Sequence, residues 1–212
     1  MINQELSKKI YQMAIDCGFE NCGIIPLSDL DGYKSRFEER MDKIGLGKVF
    51  YKNINKLVNL KEQYPWAKSV IICTEWIGKY RYPEEIQGKY GKAFMLSRET
   101  VHDSEVYKEK MRFESWMTEQ GIRWEGGAKY GPPRNLPLRH AAVEAGLGIF
   151  RKNNFFYAEK GSYYNLEGYL IDKECVLKQS CDVKPCSEKC DLCQQACKTK
   201  ALSSSYTMNP LS

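Results

Sequence analysis

Between Gln4 and Cys17 the apolar residues Leu6, Ile10, Met13, Ala14 and Cys17 recur at three- and four-residue spacing, which predicts an amphipathic helix stopped by Gly18. The stretch Asn21-Cys22-Gly23-Ile24-Ile25-Pro26 has strand character, and Cys17 and Cys22 read as small core residues. A second helix is predicted over Asp29 to Lys43, with Leu30, Tyr33, Phe37 and Met41 on one stripe. Gly45 to Tyr64 is rich in Lys, Asn and Gly, lacks periodicity and predicts an irregular connection. Ser69-Val70-Ile71-Ile72-Cys73-Thr74 is the clearest strand. Its unbroken apolar run suits a central place in a sheet covered on both faces.

Trp76 to Leu96 is polar and Tyr-rich, a surface loop or a lid over a pocket. His102 to Gln120 predicts a long helix with Val106, Phe113, Trp116 and Met117 inward, closed by Gly121, and Ile122 to Glu125 a strand. The turn-rich loop Ala128 to Pro137 then delivers the chain to a helix with a small-residue face of Leu138, Ala141, Ala142 and Ala145. Gly146 and Gly148 end that helix, and as glycines they could also let a ligand approach the backbone. Phe155 to Tyr157 and Ser162 to Asp172, joined through Lys160-Gly161, predict a β-hairpin. His102 and His140 have no partner at metal-ligand spacing and read as ordinary polar residues. Interleaved helices and strands over residues 1 to 172 give a mixed α/β fold class.

Composition narrows this modestly. The 212 residues suffice for one buried domain and a small appendage, and no apolar run is long enough to cross a bilayer. The N-terminus leads directly into a helix pattern with no targeting signal, so the expected location is the cytoplasm. A formal charge of +5, with both signs interspersed, permits an anionic partner without demanding one.

Chemistry concentrates in Cys186-Ser-Glu-Lys-Cys190-Asp-Leu-Cys193-Gln-Gln-Ala-Cys197. The last three cysteines repeat the C-x2-C-x3-C end of the bacterial iron–sulfur run, in which a tight loop aims thiolates at a cubane cluster. The first gap is one residue longer than usual, and Lys198 stands where a Pro normally follows. Structural zinc takes two ligand pairs across a longer spacer, and disulfides need an oxidising compartment, so an iron–sulfur centre is the preferred reading. In the two-cluster geometry the fourth cysteine reaches a second cluster, and no second run precedes Ser212. Either the sequence is a shortened piece or another thiol completes the set, with Cys175 and Cys181 as upstream candidates.

The run Leu136 to Gly148, the Lys152-Asn153-Asn154 step, the Gly161-Ser162 pair and the cysteine run occur in an order that resembles the epoxyqueuosine reductase family. That family is similar in turn to the cobalamin-dependent reductive dehalogenases. The resemblance implies a nitroreductase-like α/β domain over 1–174 that cradles cobalamin, followed by a partial ferredoxin-like domain over 175–212 bearing 4Fe–4S clusters. It implies cofactor contacts from Gly146, Gly148, Lys152, Asn153, Asn154 and Ser162, and metal ligation by Cys186, Cys190, Cys193 and Cys197. The family's proton-donating Asp is replaced here by Pro132, which leaves Tyr130 and Arg134 as candidate catalytic residues, and Arg139 as a further candidate anion contact. Expected partners are a small-molecule or tRNA-borne substrate and an external low-potential electron donor, without a membrane. The readings that remain are a reductase with an unidentified substrate, an epoxyqueuosine reductase acting on tRNA, and an electron carrier without substrate. A deep cavity beside Gly146 to Asn154 would favour an enzyme, and a filled one a carrier.

Overall fold

The Asn3 side chain accepts the Leu6 amide at 2.9 Å and so opens helix α1, Gln4–Asp16. The computed structural model describes residues 2–91, 103–126 and 136–212, without the side chains of 52–55. Beyond α1 come strand β1 (Asn21–Pro26), helix α2 (Tyr33–Lys43), the short helix α3 (Leu60–Gln63) and strand β2 (Ser69–Trp76). Helix α4 (Glu105–Glu119), strand β3 (Trp124–Gly126), helix α5 (Leu138–Glu144) and strands β4 (Ile149–Phe150), β5 (Phe156–Tyr157) and β6 (Tyr164–Ile171) follow. A five-residue helix, α6 (Leu192–Ala196), lies within the cysteine run.

The main sheet is antiparallel throughout, in the order β1-β2-β6-β3. Its middle strand β2 is buried over all but its last residue, as its uninterrupted apolar run requires. Val70, Ile72 and Leu170 pack on one face against Ala141, Ala142 and Ala145 of α5, with Leu27, Leu30 and Leu60 beside them. Ile71, Cys73, Tyr169 and Ile171 pack on the other against Ile10 and Ala14 of α1 and Phe113 and Met117 of α4. The result is three layers, helix on sheet on helix. Each fully buried Ile or Leu here is worth about 1.5–3 kcal/mol of apolar transfer.

Three helices end alike. At the α5 terminus the Gly146 amide donates to Val143 O and the Leu147 amide to Ala142 O, both at 2.9 Å, a Schellman closure with Gly146 at φ +75°. The same bond pairs close α1 at Gly18 and α4 at Gly121. The predicted stops at those glycines follow from this geometry.

Three expectations need correction. Residues Phe156–Tyr157 do not form a hairpin with the following strand: β5 pairs with β4, through Ile149↔Tyr157 and Phe150↔Phe156. Strand β6 instead enters the main sheet between β2 and β3, after a tight bridge between Ala158 and Gly161. The alternation along β6 therefore does not separate a wet from a dry face, because Tyr169, Leu170 and Ile171 are all fully buried. The second helix is also shorter than its pattern, with a 3-10 turn over Leu27–Leu30 preceding it, and the irregular connection is largely 3-10 over Gly45–Leu57.

After β6 the chain runs along the outer edge of β1. Ile24 and Leu177 exchange both backbone bonds at 2.8 Å, the Cys175 amide donates to Ser69 Oγ at 3.0 Å, and the Gln179 side chain donates to Cys22 O at 3.0 Å. This stitching covers the exposed edge of the sheet. It also fixes the point from which the cysteine-rich tail departs.

Candidate functional site

The β4–β5 hairpin is the device that meets the tail. Its connection is tight, with the Arg151 amide donating to Phe155 O at 3.1 Å and the Asn154 amide donating back to Arg151 O at 2.8 Å. Asn154 takes φ +63°, a left-handed conformation that Asn tolerates better than most residues. Lys152 stands at the tip. Its ammonium donates to three backbone carbonyls of the cysteine loop, Ser187 at 2.9 Å, Glu188 at 2.6 Å and Cys190 at 2.8 Å. All three ammonium hydrogens are thus committed to the loop that carries Cys186 and Cys190. The neighbouring Arg151 adds a bond to Lys184 O at 3.3 Å.

Cys186, Cys190, Cys193 and Cys197 are free and half-buried. Backbone N–H of Leu202, the Thr199 hydroxyl and the amides of Ala201 and Thr199 face the Cys197 sulfur, holding its pKa below the usual thiol value. That environment differs from the one that burial gives the core cysteines Cys17 and Cys175. Among the described residues no three Cys, His, Asp or Glu side chains already converge on one metal position. The donor set suits an iron–sulfur cluster in type and number, and a cluster would draw the thiols together on a loop that Lys152 already holds. Cys175 does not join them. It is fully buried against the sheet, and burial, outweighing the opposing influence of Ser7, raises its pKa away from the thiolate. Cys181 is half-buried in the segment between the sheet and the run.

The other candidates fall into distinct places. A Cβ on Gly146 would lie 1.9 Å from Gln179 O, and one on Gly148 2.3 Å from Tyr157 O. The space that a ligand would need above these glycines is filled by the chain itself, so their absent side chains serve close packing of the tail and of β5. Asn153 donates to Tyr157 Oη at 3.0 Å and accepts the Phe155 amide at 3.2 Å, ordering the hairpin. The Asn154 carbonyl accepts from Arg139. Ser162 follows the turn whose Lys160 pairs with Glu20, and no hydrogen bond among the described residues links it to Lys152 or Asn154. Tyr130, Arg134 and Pro132 lie outside the described residues, as does His102. Among the described residues, protein backbone and the Phe156 ring therefore take the space beside Gly146 and Gly148, which does not fit a corrin there.

A second group of side chains was not visible as a site in the sequence. Tyr33, Arg36 and Arg40 of α2, His140 of α5, Phe150, Asn154 and Ser205 to Thr207 of the tail line an open cavity of about 140 Å3. The Tyr206 amide donates to Lys152 O at 2.8 Å, which seats the tail against the hairpin. His140 is 4% exposed, and burial, aided by the Arg36 charge, lowers its pKa to about 4. The approach of Arg36 to His140 spans 104 residues of sequence and leaves no local pattern to read.

Solved structures share this architecture. An epoxyqueuosine reductase from Bacillus subtilis, determined with its catalytic-aspartate loop swung out of the active site, superposes with a TM-score of 0.70 at 20% identity, covering 97% of this chain and 55% of that one. The fold is that of the epoxyqueuosine reductases. The enzyme from Streptococcus thermophilus gives 0.70 at 21% identity, over 97% and 56%. An epoxyqueuosine reductase bound to a tRNA stem loop carrying epoxyqueuosine gives 0.69 at 20%, over 97% and 55%. The chain therefore spans little more than half the length of these structures. No protein-family model and no curated protein matches the sequence. No helix among the described residues is long and apolar enough to cross a membrane.

Proposed function

We propose that the chain carries the electron-receiving core of an iron–sulfur reductase of the epoxyqueuosine reductase type, with Cys186, Cys190, Cys193 and Cys197 as ligands of a 4Fe–4S cluster. The observation that carries this reading is the Lys152 clasp, which joins a domain with the reductase fold to the thiol-bearing loop. A bound cluster would supply single electrons at low potential, received from an external donor. The protein's own part is to hold the loop through Lys152, to lower the Cys197 pKa through the surrounding hydrogen-bond donors, and to orient a substrate against the α/β domain. Residues 175–212 serve as a partial ferredoxin-like unit. Tyr130 and Arg134 are the sequence's candidates for proton donation and substrate contact. A corrinoid is what the family resemblance implies for the reducing centre.

The relative bound to a modified tRNA stem loop favours a base carried on tRNA over a free small molecule as substrate. A second reading, an electron carrier without substrate, draws on the filled space above Gly146 and Gly148. Anaerobic reconstitution separates them. Loaded protein should bind iron and acid-labile sulfide, show a band near ~400 nm and lose all three when the four cysteines become Ser. Salt-sensitive binding of a tRNA stem loop by the loaded protein would support the reductase, and a cluster without tRNA binding the carrier. A folded protein that takes up neither iron nor sulfide defeats both.

A further inference from the structure

The cavity between α2, α5 and the tail has the makings of a binding site of its own. Arg36 Nη1 lies 3.2 Å from His140 Nδ1, and a guanidinium can only donate, so Nδ1 is the acceptor. In the neutral imidazole the proton then sits on Nε2. That Nε2–H is buried and has no hydrogen-bond partner among the described residues. The nearest carboxylate, Glu144 Oε1 on the same helix, stands 3.9 Å away, beyond hydrogen-bond reach. A buried donor without an acceptor costs free energy unless something fills the role.

The charges around it point to what that acceptor is. Arg36, Arg40 and Lys43 line the cavity with Glu39, and Lys43 holds Glu39 at 2.6 Å. Among the described residues neither Arg36 nor Arg40 forms an ion pair with a carboxylate, although the Arg36 charge helps to lower the Glu39 pKa and the Arg40 charge acts on the Tyr33 hydroxyl. Arg139 lies close enough to Arg40 for their charges to oppose each other. Ser205, Tyr206 and Thr207 of the tail complete the lining. About 140 Å3 is well below the roughly 300–1,000 Å3 of sites that enclose a whole drug-sized ligand, and matches one compact group.

We infer that this cavity is a phosphate-binding site, with His140 Nε2–H and the Arg36 and Arg40 guanidinium groups as donors to the phosphoryl oxygens. Two guanidinium forks and a neutral imidazole donor suit a dianion that accepts several bonds at once. The inference stands apart from the proposed reductase activity, since it needs neither a cluster nor turnover. The phosphate is either the free anion or the terminal group of a small ester.

The test uses the purified chain and the imidazole 15N resonances, which are simple to assign because it has only two histidines. Titration with inorganic phosphate should shift His140 Nε2 saturably, and Arg40→Met should weaken that response at least tenfold. Arg40→Lys, which keeps the charge and loses the fork, should fall between. A nucleoside monophosphate binding tenfold tighter than phosphate would identify an ester as the source, and equal affinities the free anion. No movement of His140 in folded protein with either probe overturns the inference, as does a response that Arg40→Met and Arg36→Met leave unchanged.

Discussion

Lys110 Nζ stands 3.4 Å from Glu167 Oε1 and 3.6 Å from Glu75 Oε2, with all three side chains almost wholly withdrawn from water. Glu75 and Glu167 project from β2 and β6 toward α4, at the end of the layer that holds Phe113 and Tyr169. The ammonium also lies 5.7 Å from the centre of the Phe19 ring. Charges this deep are tolerated only when they compensate one another.

Lys110→Met should therefore destabilise the fold by roughly 3–5 kcal/mol, because it strips this cation from two buried carboxylates. Urea denaturation followed by circular dichroism would register the loss as a lower midpoint at unchanged slope. A loss below about 1 kcal/mol, the range of surface ion pairs, would show that the lysine is dispensable to the layer.

Lys152→Met removes three charge-assisted bonds to the cysteine loop. Amide exchange at residues 186–190 should quicken at least tenfold, corresponding to about 1.4 kcal/mol, within what one bond to a charged group contributes. Exchange in β2 should stay as it was. If the loop exchanges no faster, the clasp contributes nothing to its order.

His140 gives a pH dependence of definite sign. Its folded pKa, about 4, lies below the value of roughly 6.5 expected in the unfolded chain, so the unfolded state binds more protons between those limits. Stability from this group is complete above pH 6.5 and is lost as pH falls toward 4, by an amount on the order of 3 kcal/mol. A His140→Gln variant should lose much of that slope between pH 4 and 6.5. An unchanged slope would assign the dependence to carboxylates.

The thiols should separate by reactivity. Cys197 is held toward thiolate by surrounding N–H groups, whereas burial drives Cys17 and Cys175 the other way. Brief iodoacetamide treatment of metal-free protein at pH 7, read by mass spectrometry, should modify Cys197 well ahead of the two core cysteines. Equal labelling would contradict the assigned environments.

What could be read in advance followed from short-range physics. The bounds of β1, the stops at Gly18 and Gly121 and the burial of β2 are each written in a few adjacent residues. Strand pairing was not. Phe156 and Tyr157 could face either neighbour by pattern alone, and the choice of β4 rests on a hairpin turn in which a non-glycine, Asn154, takes positive φ. The cysteine run was legible because its ligand types lie within a dozen residues. The Lys152 clasp is not legible, since a sequence does not reveal that an ammonium will meet carbonyls 35 to 38 positions away. His140 was passed over because its significance depends on Arg36, from another helix.

Lys152 is engaged at both ends: its side chain grips the thiol loop, and its own carbonyl receives Tyr206 at the rim of the basic cavity. One residue is thus a shared pivot. Any rearrangement by which the cysteines gather around a metal must pull on the same peg that positions the cavity's rim, so the two regions are mechanically geared.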